Sequence, residues 1–273
     1  MPSPTTAFVA PAHTWKVAKV AALSTCVATR RCQHGAMSAR LACGPGDAAP
    51  HGLDERLHAH LVAYVGASPP ADGRVLVVGL PGRLDPGWDG SRTLGVVVRS
   101  PEGAVVSVPP GAVDAVSPLA ARLRSDSFPS DLATAVGAPG RFSPWLVLRW
   151  SVSPAPLEPL GTWVDADDAR LPDWLHAFAG PVLAAFDDDG RYLAGVGIKP
   201  HTRWGHELAV GTDERARGRG LGRRVVAEAG RAVLADRAVP LYVHHPDNVA
   251  SAHVADAAGF PDLGWRLLVV FGG

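Results

Sequence analysis

The chain has 273 residues, 47% of them hydrophobic, and its 26 basic residues balance 26 acidic ones. That length suits one large domain or two smaller ones with a real core, and a formal net charge of zero excludes the global basic field that draws proteins onto nucleic acid. No apolar run reaches membrane-spanning length, the longest being strand-sized stretches such as 74–80 and 267–271; the expectation is a soluble, cytoplasmic protein with no membrane association.

Residues 1–52 differ in kind from the rest. Lys16, Lys19, Arg30, Arg31 and Arg40 face a single acid, Asp47, among scattered small residues without a sustained period. A targeting segment would have this composition; a disordered tail, or a mis-assigned start with Met37 as the true beginning, is the preferred reading. All three cysteines, Cys26, Cys32 and Cys43, lie here. An odd number without a Cys-x-x-Cys pair argues against a disulfide framework and against a zinc site.

From Leu53 the chain becomes orderly. Leu53, Leu57, Leu61, Val62 and Val65 mark a helix closing near Gly66. Residues 74–80 read as a buried strand, 81–90 as a loop, and 93–99 with 104–108 as a hairpin. Helices are expected at 118–124, with Ser117 as cap and Pro118 as first residue, and at 131–136; 145–150 is another strand. The Pro-rich stretch 153–159 is the best candidate boundary. Beyond it come a short helix at 171–178, strands at 182–186 and 192–198 joined by the Asp187–Gly190 turn, and a strand at 206–212. A helix to about 235, a strand at 241–244, a helix from about 248 to 258 and closing strands around 265–271 complete the pattern.

The richest stretch follows the strand at 206–212, where Arg215, Arg217, Arg219, Arg223 and Arg224 interleave with Gly218, Gly220 and Gly222. Leu221, Val225, Val226, Ala229, Val233 and Leu234 then fall near one helical face. A glycine loop that opens a helix presents several N–H groups to one point, where the helix dipole adds partial positive charge. A diphosphate suits such a cradle. No Gly-Lys-Ser/Thr follows, which rules out the nucleotide P-loop, and the glycine spacing is not that of the dinucleotide fingerprint.

Val-x-Thr (Val210, Thr212) followed by Arg217, Gly218, Gly220 and Gly222 resembles the acetyl-CoA pyrophosphate loop of the GNAT superfamily of N-acetyltransferases. A second stretch, with Asn248, Ser251, Ala255, Gly259 and Phe260, resembles the last helix of such enzymes. The similarity covers roughly residues 160–273. It implies an α/β (α+β) fold, with a mixed, mostly antiparallel central sheet flanked by helices. The resulting division is a tail at 1–52, an N-terminal α+β domain of unassigned role at 53–152, and an acetyl-CoA-binding catalytic domain at 160–273. The N-terminal half is either a degenerate copy of the same fold or an unrelated cap.

The resemblance further implies acyl-CoA-dependent N-acyl transfer, most simply from acetyl-CoA, by direct attack of an amine and without a metal. A non-catalytic CoA-binding sensor or regulatory module is the alternative. Val210, Gly211 and Thr212 match the splayed strand that offers backbone groups to the acyl carbonyl and pantetheine. Gly218, Arg219, Gly220, Leu221 and Gly222 match the amides that hold the pyrophosphate, with Arg217 and Arg223 adding charge. Asn248 and Ser251 match positions near the pantetheine arm, although Asn also suits a helix cap.

Glu207 is the expected general base, because a carboxylate on a central strand is costly unless it serves something. The competing reading is a salt bridge to a surface arginine. His206 is the alternative base, since a bulge would exchange the two residues between faces. His244, beside His245, is a further candidate for proton relay or a polar rim. Ala255 stands where many family members carry a tyrosine acid for the leaving thiolate. Trp163, Trp174 and Trp204 are acceptor-pocket or core residues. The acceptor is a small-molecule or peptide amine rather than nucleic acid; neither its identity nor the oligomeric state is written in the sequence.

Overall fold

The structure, a computed structural model, describes residues 53–272. The tail at 1–52 and its cysteines lie outside the described residues. Asp54 opens the first helix: its carboxylate accepts from the amides of Arg56 and Leu57 and caps α1 (Glu55–Val65), placing negative charge at the positive end of the helix dipole. The helix ends at Gly66, whose φ of 89° is left-handed and whose amide returns to the Val62 carbonyl.

Three strands follow, β1 (Val75–Gly79), β2 (Thr93–Arg99) and β3 (Ala104–Val108), with β2 and β3 forming the expected hairpin. Next come the short helix α2 (Val113–Val116), the helix α3 (Phe128–Ala135) and β4 (Leu146–Trp150). The helix expected at 118–124 is a 3-10 turn, Ser117–Arg122. Ser117 bonds back to the Val113 carbonyl, and Pro118 supplies no amide to continue an α-helical ladder.

The C-terminal half contributes β5 (Thr162–Val164), β6 (Val182–Phe186), β7 (Tyr192–Thr202), β8 (Gly205–Thr212), α4 (Leu221–Ala235), β9 (Val239–His244), α5 (Val249–Ala257) and β10 (Arg266–Phe271). The helix expected at 171–178 shrinks to one 3-10 turn, Leu175–Ala177. All ten strands form one sheet in the order β1-β3-β2-β10-β4-β9-β8-β7-β6-β5. Only β1 with β3 and β8 with β9 are parallel; the remaining pairs are antiparallel.

The two halves are not separate. β10, from the C-terminal half, lies between β2 and β4 and pairs with β2 along its whole length. The described residues belong to one compact unit, and the stretch read as a boundary lies inside it. That stretch is pinned along α4. Arg224 donates to the carbonyls of Glu158 and Pro159, Arg231 to those of Ala155 and Leu157, and Glu228 accepts from the amides of Leu160 and Gly161. Residues 224, 228 and 231 share one helical face, so side chains of α4 supply the partners that the Pro-rich segment lacks by itself. Proline content signals extended backbone here, not a free linker.

Helices cover both faces of the sheet. α1 packs with Val96, Val98, Leu148, Leu241 and Leu267 on one face. α3 packs with Val97, Leu268 and Val270 on the other. α4 and α5 enclose Val196, Leu208, Tyr242 and Phe260. Because side chains alternate along a strand, this division fixes the direction of every neighbouring side chain.

His60 on α1 sits over Gly205, where any Cβ would collide with the imidazole, and its Nδ1 lies 2.9 Å from Thr202 Oγ1. Burial first, then the charges of His201 and His206, press its pKa down to about 3. The folded state thus holds this ring neutral, whereas the unfolded chain protonates it near 6.5. The expected result is stability that falls as pH drops below about 6.5, with a slope approaching about 1.4 kcal/mol per pH unit from this group. Urea titrations at pH 7.5, 6 and 5 check it: His60→Gln flattens the dependence, and an unchanged slope refutes the assignment.

Candidate active site

β8 runs beside two partners and loses one of them. It pairs with β7 to Thr212, but with β9 only from Gly205↔Val239 to Glu207↔Leu241. Past that point β9 continues beside β4, to the His244↔Val147 pair, and a gap opens between β8 and β9. Asp213 N donates to Leu193 O, so the odd-numbered amides of β8 face β7; Val239 N donates to Trp204 O, so the even-numbered ones face β9. The amides of Val210 and Thr212 therefore face the gap. Gly211 faces β7, and its carbonyl accepts from the Tyr192 hydroxyl at 2.9 Å.

The arginine-glycine run stands at the mouth of this gap. Ala216, 1% exposed, anchors its 3-10 turn Glu214–Ala216. Gly218 and Gly220 have φ of 75° and 72°, left-handed values that glycine adopts without penalty. Gly220 is the N-cap of α4 and has no side chain to offer, so the amides of Leu221, Gly222 and Arg223 meet no side-chain cap. Gly222 lies where α4 approaches β8 and α5; a Cβ there would stand 3.2 Å from Thr212 Oγ1 and 3.4 Å from Val254.

The five arginines separate into two groups. Arg215 is held by Asp213 at 3.0 Å, and Arg224 is spent on the Glu158 and Pro159 carbonyls. Arg217, 4.0 Å from the exposed Glu214, and Arg219 and Arg223, without acidic partners among the described residues, remain for an anion. Donor set and spacing fit a diphosphate: convergent amides at a helix N-terminus and three guanidiniums around them.

The helix α5 begins at Asn248, whose side-chain oxygen accepts from Ser251 N at 3.0 Å, the cap anticipated for Asn. Ser251 Oγ lies 2.8 Å from the Tyr242 hydroxyl. Tyr242 is the first residue of β9 beyond its pairing with β8 and is 1% exposed. Burial raises its pKa, against the hydrogen bond with Ser251 and the charge of Arg149, so the phenol keeps its proton. Ala255, fully buried, packs in the same cluster as Tyr242 and Phe260. Sequence reasoning passed over Tyr242 because the residue reads as an ordinary strand aromatic; its alternation with Leu241 and Val243 was the available signal.

Glu207 points to the opposite face, with α1. Its Oε1 accepts from Lys199 Nζ at 2.6 Å and its Oε2 lies 3.0 Å from His201 Nε2. Burial acts to raise its pKa, but the charge of Lys199 with the hydrogen bond and charge of His201 outweigh it and hold the carboxyl down at about 2. The salt bridge weighed from sequence exists, with lysine and histidine in place of arginine. Both partners sit on β7, across the register from Glu207.

The rest of that face is aromatic. Gly195, Gly197 and Gly211 form a floor without side chains. Trp174 lies on Gly211, where a Cβ would be 2.6 Å from its ring, and Phe178 lies on Gly197. Trp88, from the loop before β2, stacks on Phe178 with centroids 5.5 Å apart, and Lys199 Nζ is 5.9 Å from the Trp88 ring. The N-terminal half thus supplies a wall to the face that carries Glu207. Of the tryptophans singled out earlier, Trp174 is in this wall; Trp163 is 40% exposed on β5, and Trp204 stacks beneath Arg203.

His206 and His244 go elsewhere. His206 shares the α4 face with Leu208 and Val210, and its pKa is lowered by burial, against the charge of Asp236. His244 Nε2 accepts from Arg149 Nε at 3.0 Å, which leaves Nδ1 as the protonated nitrogen, 2.9 Å from the His245 carbonyl. Arg149, 4% exposed, also bonds Asp256 and the Phe260 carbonyl. Both nitrogens of His244 are thus engaged, and Arg149 is the group that ties β4 to β9 and to α5.

A mixed sheet whose parallel pair splays, with a glycine loop and helix N-terminus at the splay, defines the GNAT-like fold. The sequence agrees: residues 145–260 match the model of the Acetyltransferase (GNAT) family, and this stretch is a GNAT acetyltransferase domain. The match starts at the residue before β4, ahead of the 160 expected from the motifs alone.

Among solved structures, the chain resembles an acetyltransferase of the GNAT family from Colwellia psychrerythraea, at 15% identity and a TM-score of 0.38, over 48% of this chain and 57% of that one. It also resembles a GCN5-related N-acetyltransferase-like protein from Streptococcus suis, at 13% identity and a TM-score of 0.38, over 54% and 69% of the two chains. A GCN5-related N-acetyltransferase from Kribbella flavida gives 15% identity and a TM-score of 0.36, over 54% and 65%. The chain thus spans little more than half the length of the first of these, and at such TM-scores the likenesses add no weight of their own. A search of curated proteins returned no match. Among the described residues no helix is long and apolar enough to cross a membrane, and no cluster of His, Cys, Asp or Glu has the makings of a metal site.

Proposed function

We propose that this protein transfers an acyl group, most simply acetyl, from acyl-CoA to an amine by direct attack. The observation that carries this reading is the coincidence of two features at the β8–β9 gap. An anion cradle with uncapped amides and the arginines Arg217, Arg219 and Arg223 lies on one side of the sheet, and an aromatic-walled carboxylate lies on the other. Acetyl-CoA, as substrate, brings a diphosphate for the cradle and a thioester for the gap.

The chain's own groups then have distinct tasks. The amides of Gly218, Arg219, Gly220, Leu221 and Gly222 hold the pyrophosphate, with Arg217 and Arg223 beside them. The Val210 amide donates to the thioester oxygen, where negative charge develops, and Thr212, Asn248 and Ser251 border the pantetheine path; Gly211, matched from sequence, faces β7 instead. Glu207 receives the acceptor's ammonium. A carboxylate held at about 2 takes a proton poorly; an acceptor that displaces the Lys199 ammonium removes a lowering charge and makes Glu207 a better base. The amine nitrogen bonds to the acyl carbon, the carbon–sulfur bond breaks, and the amine's proton passes to Glu207 directly or through water. The Tyr242 hydroxyl protonates the departing thiolate, in the role left vacant at Ala255.

The test is release of free CoA from acetyl-CoA in the presence of a panel of small and peptide amines. Acetyl-CoA that raises the melting temperature while no amine yields CoA would favour the non-catalytic sensor instead. Tyr242→Phe is expected to lower kcat about tenfold near pH 7, a loss that shrinks above about pH 8.5, where a free thiolate leaves unaided. A pH-independent loss would sink the acid role. Truncating the buried hydroxyl costs about 1 kcal/mol of stability, small enough to leave the fold intact.

A further inference from the structure

On the face opposite α1, far along the sheet from β8, Arg99 and Arg124 line one cleft, and neither forms an ion pair among the described residues. Arg99 on β2 is directly across from Arg266 on β10 in the strand register. Like charges in that position repel, a destabilising arrangement unless something compensates. Arg266 is compensated, since Asp262 holds it at 2.9 Å. Arg99 is not: its guanidinium stacks over the Trp145 ring at 4.9 Å and has no acidic partner among the described residues. Arg124, on the turn after the 3-10 segment Ser117–Arg122, is exposed and likewise unpaired.

These two line one cleft of about 320 Å³, closed by the hairpin residues 100–103 and by Ala120, Ala121 and Leu123. Its one carboxylate, Glu102, forms no ion pair with either arginine. Burial, then the charges of Arg124 and Arg266, lower the Arg99 pKa, yet a guanidinium remains ionised at neutral pH. Two planar, permanently charged forks facing one concavity match the tetrahedral oxygens of a phosphate group. The volume leaves room for a substituent on that phosphate.

We propose that the cleft between Arg99 and Arg124 is a second anion site, for a phosphate or phosphate-bearing small molecule. It is independent of the arginine-glycine loop and of the acyl-transfer reading. The strands β10, β4 and β9 separate it from the splay, so it binds neither the acyl donor nor the acceptor.

Titration with inorganic pyrophosphate, followed by calorimetry, separates the two sites. Gly220→Asp closes the loop site by charge and leaves the cleft untouched. That variant is expected to retain one pyrophosphate site, which weakens at least about tenfold when Arg99→Gln and Arg124→Gln are added. Arg124→Gln alone, at an exposed position that no fold contact needs, is expected to weaken it several-fold and to leave acetyl-CoA affinity unchanged. The proposal is overturned if the Gly220→Asp protein binds no pyrophosphate, or if its residual binding ignores both substitutions. Glucose 6-phosphate and free phosphate, titrated in parallel, distinguish a phosphorylated metabolite from the bare ion by which binds more tightly.

Discussion

Gly220→Asp is expected to raise the dissociation constant for acetyl-CoA by about a hundredfold or more, while leaving the melting temperature within a few degrees of wild type. The physical case rests on local geometry. Residue 220 is the N-cap of α4 and holds φ of 72°. Among non-glycine residues, Asn and Asp tolerate that region best. A Cβ there meets only the flexible end of Arg223, at 3.0 Å, so the fold yields cheaply. Aspartate also favours the positive end of a helix dipole. Function responds in the opposite direction. The new carboxylate occupies the point where the uncapped amides converge, competes for them and for Arg223, and repels a diphosphate. A hundredfold change corresponds to about 2.7 kcal/mol, modest for one full charge placed against a polyanion. Calorimetric titration with acetyl-CoA measures it, and an affinity within threefold of wild type would remove the loop from the binding site.

The second large effect is expected at Glu207. Glu207→Gln should lower kcat by about two to four orders of magnitude with acetyl-CoA affinity unchanged, because the cradle and the carboxylate lie on opposite faces of the sheet. The substitution also strands Lys199, whose side chain is 27% exposed. A fully buried unpaired charge costs about 3–5 kcal/mol; partial exposure of Lys199 reduces this, and about 1–2 kcal/mol is expected. Adding Lys199→Met should restore most of the lost stability and none of the lost rate. That split separates an acceptor-binding carboxylate from a structural ion pair, for which stability and rate would recover together. The sign of the pH effect follows from a folded pKa of about 2 against 4.5 unfolded. Glu207 contributes stability fully above about pH 4.5, and that contribution disappears as pH falls toward 2. Its loss begins about two pH units below the onset for His60, so of the two groups His60 alone acts on stability between about pH 6.5 and 4.5.

Periodicity made much of this fold legible. The stripe Leu57, Leu61, Val65 and the left-handed Gly66 defined α1; the hairpins and the arginine-glycine helix start were equally plain, because local chemistry dictates them. Proximity across the sheet was not. Lys199 and His201 reach Glu207 only through the β7–β8 register, which a sequence does not print. The same register settles which of His206 and Glu207 faces α1. Trp88 escaped notice because it lies in a Gly- and Pro-rich loop without periodicity, and a tertiary stack on Phe178 is what places it. The stretch 153–159 misled because proline signals an extended chain whether it is free or bound. Its binding depends on Arg224, Glu228 and Arg231, residues whose shared helical face serves the segment and not the solvent.

The placement of β10 governs the order in which this molecule can be assembled. In the sheet β10 stands between β2 and β4, so during synthesis β2 waits with one edge unsatisfied, and β4 with both until β9 is made, for strands made long after them. Such contacts of high sequence separation slow folding, and waiting β-edges rich in valine are sites for unwanted strand addition between chains. Yield on refolding should therefore depend steeply on protein concentration, and a chain cut before Arg266 should be recovered as aggregate rather than as a smaller folded core.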